Sequence, residues 1–277
     1  MILWTAASLA VGCGRIHFGA VDTRSDAGPR DAGSDADITD AGGDPDAGVP
    51  TTLVHWYRFE GTGTIATDSV GSAHGEVMGS GSLSGTGTLS LAGGTSEQFV
   101  NLPNGVLSAL PDATIESWVV WNGSAGGDYQ RIFDFGNSSG GEGVQAEGTR
   151  HFSLAVTPSG QLRLVFDVDP SLDSTGWRVF WVDALPTGSL HQVVATFDSG
   201  PSPNVIAVYL DGALLGMTTV PDTESLADID DVNGWLGRAQ WSADAEFEGT
   251  LHDVRIYDVA MSEAEIAERY ARGPDVP

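Results

Sequence analysis

LHDVRIYDVAMSEAEIAERY, residues 251–270, reads as a strand that runs straight into a helix. Ser262 is an N-cap residue type, and Glu265 three positions on completes a capping box, in which each residue satisfies an N–H group of the other. Met261 and Ile266 take the N′ and N4 staple positions. These devices start the helix near residue 263, the cap alone contributing roughly 1 kcal/mol. Ile266 and Tyr270, four residues apart, give it one apolar stripe. In the strand before it, Val254 and Ile256 point to one face, while Asp253, Arg255 and Tyr257 point to the other. A helix with one stripe cannot enclose a core of its own. It has to cover one built by strands upstream.

Those strands are legible as short apolar runs separated by Gly, Asp, Asn and Pro from about residue 52 onward. HFSLAV and QLRLVFD alternate around TPSG, with Phe152, Leu154 and Val156 on one face and Leu162, Leu164 and Phe166 likewise, which predicts a hairpin. VIAVYLDGALLGMTTV predicts a second one, because Asp211-Gly212 supplies the two positive-φ residues of a type I′ turn. VHWYRF, TIESWVVW, RIFDFG, RVFWVD, LHQVVATFD and LHDVRIY are further strands, and no long helical period precedes Ser262. The glycine-rich GSGSLSGTGTLSLAGG lacks a Walker lysine and dinucleotide spacing and reads as loop and turn. The fold class is all-β: two packed antiparallel sheets with a short C-terminal helix.

The chain of 277 residues carries a net charge of −26, and its 12 basic residues are all arginine. That balance argues against nucleic acid and anionic lipid surfaces as partners, since both require a basic patch. Calcium remains compatible. An apolar content of 41% with eight tryptophans supports one domain, placed at residues 52–272 with a tail at 273–277.

The first 51 residues have a different character. MILWTAASLAVGC is an apolar run too short to span a bilayer and suited to a signal peptide covering residues 1–13. Its end, AVGC, resembles a bacterial lipobox, which implies cleavage before Cys13 and lipidation of that residue; an incidental buried cysteine is the other reading. Ala10 stands where leucine is usual, and no Lys or Arg precedes the run. With one cysteine in the chain, no internal disulfide framework is available. Residues 14–51 hold four Asp-Ala-Gly copies and almost no large apolar side chain, so this segment is expected to be a disordered tether. As a flexible coil it would hold its ends on the order of 30 Å apart.

VHWYRFEGTGTIATDSVGSAHGEV, ATIESWVVW, QVVATFD, VYLDGALLG, WLGRA and FEGTLHDVRIYDVAMSEAEIAERY occur in the order seen in LamG-like jelly-roll domains of the concanavalin A-like superfamily. The resemblance runs from about residue 53 to 270 and implies a jelly-roll sandwich closed by the last strand and its helix. Two positions depart from the family pattern: Leu190 stands where a tryptophan is usual, and His252 where many members have an aspartate.

The resemblance also frames the chemistry. Glycosidases of this superfamily carry closely spaced acids on one strand, flanking one glycosidic bond. Glu116 in TIESWVVW stands alone, and FDVDPSLD offers Asp167, Asp169 and Asp173 without a strand-borne glutamate, so a noncatalytic protein is expected. Members that hold structural Ca²⁺ use loop carboxylates, and by resemblance Asp68 and Asp253 are the metal candidates, with Glu60 behind them. Alternatively, Asp68 caps its own turn and Asp253 is an exposed strand residue. DIDDVNG and DVDPSLD miss the EF-hand pattern, and the histidines are scattered without zinc spacing. Trp56 and Trp118 sit in strands and belong to the core. Trp121, Trp177, Trp181, Trp235 and Trp241 lie near strand ends or loops, where an indole either packs locally or stacks on a sugar. The combined expectation is a secreted bacterial envelope protein, lipid-anchored and otherwise without membrane contact, whose sandwich binds carbohydrate or an extracellular protein. A glycan-active enzyme or accessory domain and a purely structural envelope protein are the alternatives.

Overall fold

The computed structural model describes residues 53–169 and 178–276. The signal segment with Cys13, the tether at 14–51, Asp173 and Trp177 lie outside the described residues. In chain order the first strands are β1 (Leu53–Tyr57), β2 (Thr62–Gly63), β3 (Ile65–Ala66), β4 (Gly75–Val77), β5 (Leu83–Ser84) and β6 (Leu89–Gly94). They are followed by β7 (Val100–Leu102), β8 (Ala113–Trp121), β9 (Gln130–Ser138), β10 (Gly148–Val156), β11 (Gln161–Asp167) and β12 (Arg178–Ala184). The series ends with β13 (Leu190–Asp198), β14 (Asn204–Leu210), β15 (Ala213–Val220), β16 (Asn233–Leu236), β17 (Glu246–Tyr257) and the helix α1 (Glu263–Arg272).

One sheet runs β1-β17-β8-β13-β14-β15, with β6 also paired to β17; the other runs β12-β11-β10-β9-β16-β7-β4-β3. The ladders between these strands are antiparallel. Alternation decides what lies between the sheets. From the first sheet come Ile115, Val119, Val254 and Ile256, and from the second Phe133, Phe152, Leu154, Leu164 and Phe166, all fully buried. Phe166 and Phe197 meet with ring centroids 5.1 Å apart, joining the two layers.

Both hairpins form where the turn residues place them. Asp211 and Gly212 have φ of 49° and 79°, the pair of positive values that a type I′ turn requires. The glycine-rich stretch expected to be loop departs from that reading, since it contains β5 and β6. Leu83, Leu89 and Leu91 reach the core from these strands. Gly93 allows β6 to close on β17, because a Cβ there would lie 2.5 Å from the Cβ of Glu248.

The helix covers the outer face of the first sheet. Ser262 accepts from Glu265 N, and Glu265 accepts in return from Ser262 N at 2.8 Å. Met261 and Ile266 are buried against Val194, Ala207, Tyr209 and Tyr257. No helix among the described residues is long and apolar enough to cross a membrane.

Candidate functional site

The acidic residues singled out in the sequence are held by the protein itself. Asp68 Oδ1 accepts from the N–H groups of Trp56, Val70 and Gly71 at 3.0, 3.2 and 3.0 Å. Its Oδ2 accepts from Ala73 N at 3.1 Å and from His55 Nδ1 at 2.8 Å. Burial alone would raise this carboxyl, but His55 and the three N–H donors on Oδ1 prevail and hold it down at about 2. Asp253 is fully buried, not an exposed strand residue. It accepts from the Trp56 indole at 2.5 Å and from Asp275 N at 3.1 Å, and it pairs with Arg255 at 2.6 Å. Trp56 thus joins Asp68 through its backbone and Asp253 through its ring. Glu60 stays apart from this pair and forms a surface ion pair with Arg58 at 2.9 Å. Five donors fill Asp68, and a guanidinium sits on Asp253. This donor set does not fit a calcium ion, which needs six to eight oxygens with acceptor capacity left.

Glu116 lies on the outer face of β8 beneath α1. It accepts from the Trp118 indole, Gln192, Arg255 and Tyr257 at 2.9, 2.8, 3.3 and 3.0 Å, and Arg269 of the helix comes within 3.6 Å. Burial is the largest influence and works against its charge, but Arg255, Gln192, Arg269 and Trp118 together outweigh it, and the carboxyl stays below the usual range. A general acid needs the opposite shift. Glu116 therefore locks the helix to the sheet. The acidic loops have similar roles: Asp231 accepts from the N–H groups of Leu107 and Ser108, and Asp228 completes a second capping box with Ser225.

The tryptophans separate clearly. Trp56 and Trp118 are buried, as their strand positions imply. Trp121 and Trp235 are buried too, their indoles donating to Gln130 and Asn101. Trp241 is half-buried, with its ring over Gly148, where a Cβ would come within 2.2 Å of it. Trp181 is 51% exposed.

Trp181 belongs to a group on the outer face of the second sheet. Arg163 of β11 stands opposite Trp181 of β12 in the ladder. Its guanidinium lies 5.8 Å from the Trp181 ring and 5.6 Å from the ring of Tyr129, which is 37% exposed. Burial, then the neighbouring Arg131, lowers Arg163 to about 10, so it remains charged at neutral pH. Tyr129 has φ of 52°, a strained value for a bulky side chain. Arg131 holds it there by donating to its carbonyl at 2.8 Å, while itself pairing with Asp134 at 3.3 Å and Asp244 at 2.8 Å. Asp134 also accepts from Gln240 N at 3.0 Å, which ties the loop carrying Trp241 to the same support. Two exposed aromatic rings flanking a buried cation can stack on the C–H face of a sugar. Trp181 was among the aromatic candidates from sequence; Tyr129 and Arg163 were not. The available signal was Arg163 as an outward position in QLRLVFD, facing a strand with an outward tryptophan.

The sequence pattern of the concanavalin A-like lectin/glucanases superfamily matches residues 92–267. The chain is a member of that superfamily. No curated protein matches the sequence. Among solved structures of the superfamily's fold, the chain is similar to the Ruminococcus gnavus IT-sialidase CBM40 bound to α2,3-sialyllactose. That likeness has 17% identity and a TM-score of 0.51, covering 65% of this chain and 94% of that one. Domain 4 of the arabinanase AbnA from Geobacillus stearothermophilus, in complex with arabinotriose, is 16% identical with a TM-score of 0.50, covering 79% and 98%. The binding domain of botulinum neurotoxin DC in complex with rat synaptotagmin II is 13% identical with a TM-score of 0.58; the match covers 80% of this chain and 51% of that one. At these identities the likeness shows the fold alone.

Proposed function

We propose that this protein is a noncatalytic binding module whose ligand is carbohydrate, held on the outer face of the eight-stranded sheet by Tyr129, Arg163 and Trp181. The observation that carries this reading is the pair of exposed aromatic rings around a charged guanidinium. Complexes of the fold relatives with sialyllactose and arabinotriose support it. The low-lying carboxyl of Glu116, saturated by its partners, supports a binding role over turnover. An extracellular protein partner is the second reading, favoured by the neurotoxin domain seen with synaptotagmin.

A glycan array probed with the full chain tests the proposal. Binding to a defined set of glycans is expected, weakened about tenfold or more in Trp181→Ala, as for an aromatic anchor at the centre of a contact. A blank array removes the carbohydrate reading and leaves the protein partner. Polysaccharide cleavage that disappears in Glu116→Gln would overturn the noncatalytic role. Display at the bacterial envelope through acyl chains on Cys13 completes the proposal, and Cys13→Ser should move the protein from the membrane fraction to the soluble one.

A further inference from the structure

A second feature lies on the opposite sheet and has a topological cause. The long strand β17 takes two partners in succession along one edge: β6 pairs with it from Glu246 to Leu251, and β1 from Val254 to Tyr257. Between them the ladder to β8 slips from Leu251 to Asp253, leaving His252 as an extra residue in a bulge. Bulges re-aim side chains, and this one opens into the gap between the ends of β1 and β6. Around that gap is a cleft of about 490 Å³ lined by Arg58, Glu60, His252, Asp275 and the Gly85–Gly87 backbone with Thr86. The size suits one or two sugar rings.

Its walls are anchored. Arg58 lies 4.8 Å from the Trp56 ring, with Arg255 4.7 Å from the same ring. The segment after α1, expected from sequence to be a tail, returns to the sheet: Asp275 adopts φ of 65° and donates its N–H to buried Asp253, which sets its carboxylate 4.0 Å from His252 Nε2. The carboxylates of Glu60 and Asp275 keep 59% and 49% of their side chains exposed. Two buried nitrogens, Arg58 Nε and His252 Nδ1, have no hydrogen-bond partner among the described residues. Buried polar nitrogens left so are costly.

We infer that this cleft is a second binding site, taking a small neutral polyhydroxyl ligand such as a terminal monosaccharide. Two exposed carboxylates in a chain of net charge −26 oppose an anion. Arg58 already neutralises Glu60 in an ion pair, and among the described residues no three His, Cys, Asp or Glu side chains are grouped to hold a metal. No Phe, Tyr or Trp among the described residues lines the cleft to receive a flat apolar ligand. Vicinal hydroxyls remain, since each can donate to Glu60 or Asp275 and accept from Arg58 or His252.

The experiment is an amide-resolved NMR titration of the full chain with methyl glycosides of neutral hexoses and pentoses, up to about 50 mM to cover weak binding. N-acetylneuraminic acid and CaCl₂ serve as separate probes. Expected are saturable shifts at Gly85, Thr86, Gly87 and His252 with a neutral glycoside, unchanged in Trp181→Ala. Affinity should fall about tenfold in Glu60→Gln and in His252→Ala. The inference is overturned if no neutral glycoside moves these amides, if only the anionic sugar or calcium does, or if both cleft variants bind as wild type. Failure of the outer-face reading would instead show as glycan-array binding indifferent to Trp181→Ala, with the cleft shifts intact.

Discussion

Single carboxylates in this protein work mainly as hydrogen-bond hubs, and Asp68 is the clearest instance. Its folded-state value of about 2 lies below the ordinary 3.8, so the ionised form is favoured in the native state. The corresponding stability, about 2 kcal/mol, is fully present above the unfolded value and is lost as pH falls from about 4 to 2. Asp68→Asn keeps one acceptor oxygen but turns an amide toward Ala73 N–H and His55. Urea unfolding should show the variant about 2 kcal/mol weaker at pH 7, with the gap closing near pH 2; an equal gap at both would mean that the charge has no part. Because Asp68 and Asp253 are filled by protein donors, EDTA is expected to leave the melting temperature unchanged. A rise in melting temperature on adding calcium would show that oxygens elsewhere form a site.

At the scale of elements, α1 has two attachments of different strength. The capping box fixes where it starts, and Ser262→Ala should cost about 1 kcal/mol in thermal or urea unfolding. The Glu116 network and the stacking of Tyr270 on Trp118, 5.9 Å apart, fix where it lies. Glu116→Ala leaves buried Arg255 with Asp253 alone, and a loss of about 3–5 kcal/mol is expected; a loss under about 1 kcal/mol would mean that the network is not what seats the helix. The cap was legible because it is written in four consecutive residues. The β10–β11 and β14–β15 hairpins were legible for the same reason, with alternation on both sides of a recognisable turn. β6 was not, since Ser90, Ala92 and two glycines dilute the alternation of Leu89 and Leu91, and only β17, more than 150 residues away, turns that stretch into a strand. β4 and β7 are three residues long, too short for any period to show. The outer-face site depended on the register of β11 against β12 and on the backbone of Tyr129, and neither is encoded in local sequence.

For the whole molecule the dominant fact is a net charge of −26 in a fold that buries several carboxylates. Burial raises Asp134, Asp167 and Asp253 to about 6, in each case against opposing help from an arginine or an N–H donor. A carboxyl raised in the native state binds its proton there before the unfolded chain does. Between about pH 6 and 4 these three groups therefore add stability as pH falls, and the same protonation relieves repulsion across the acidic surface. Asp68 and Glu116 have the reverse sign, and their contribution disappears only below about pH 4. The two sets predict a maximum in the mildly acidic range, not at neutrality. Melting temperature should rise by a few degrees from pH 7.5 to about 5 and drop steeply below about 4, because roughly 1 kcal/mol moves a domain of this size by about 2–4 °C. Added salt should raise the neutral-pH value more than the value at pH 5, since screening matters most where uncompensated charge is greatest. A melting temperature that falls steadily from pH 7.5 to 5 would mean that the buried carboxylates are carried by their arginine partners rather than strained by burial.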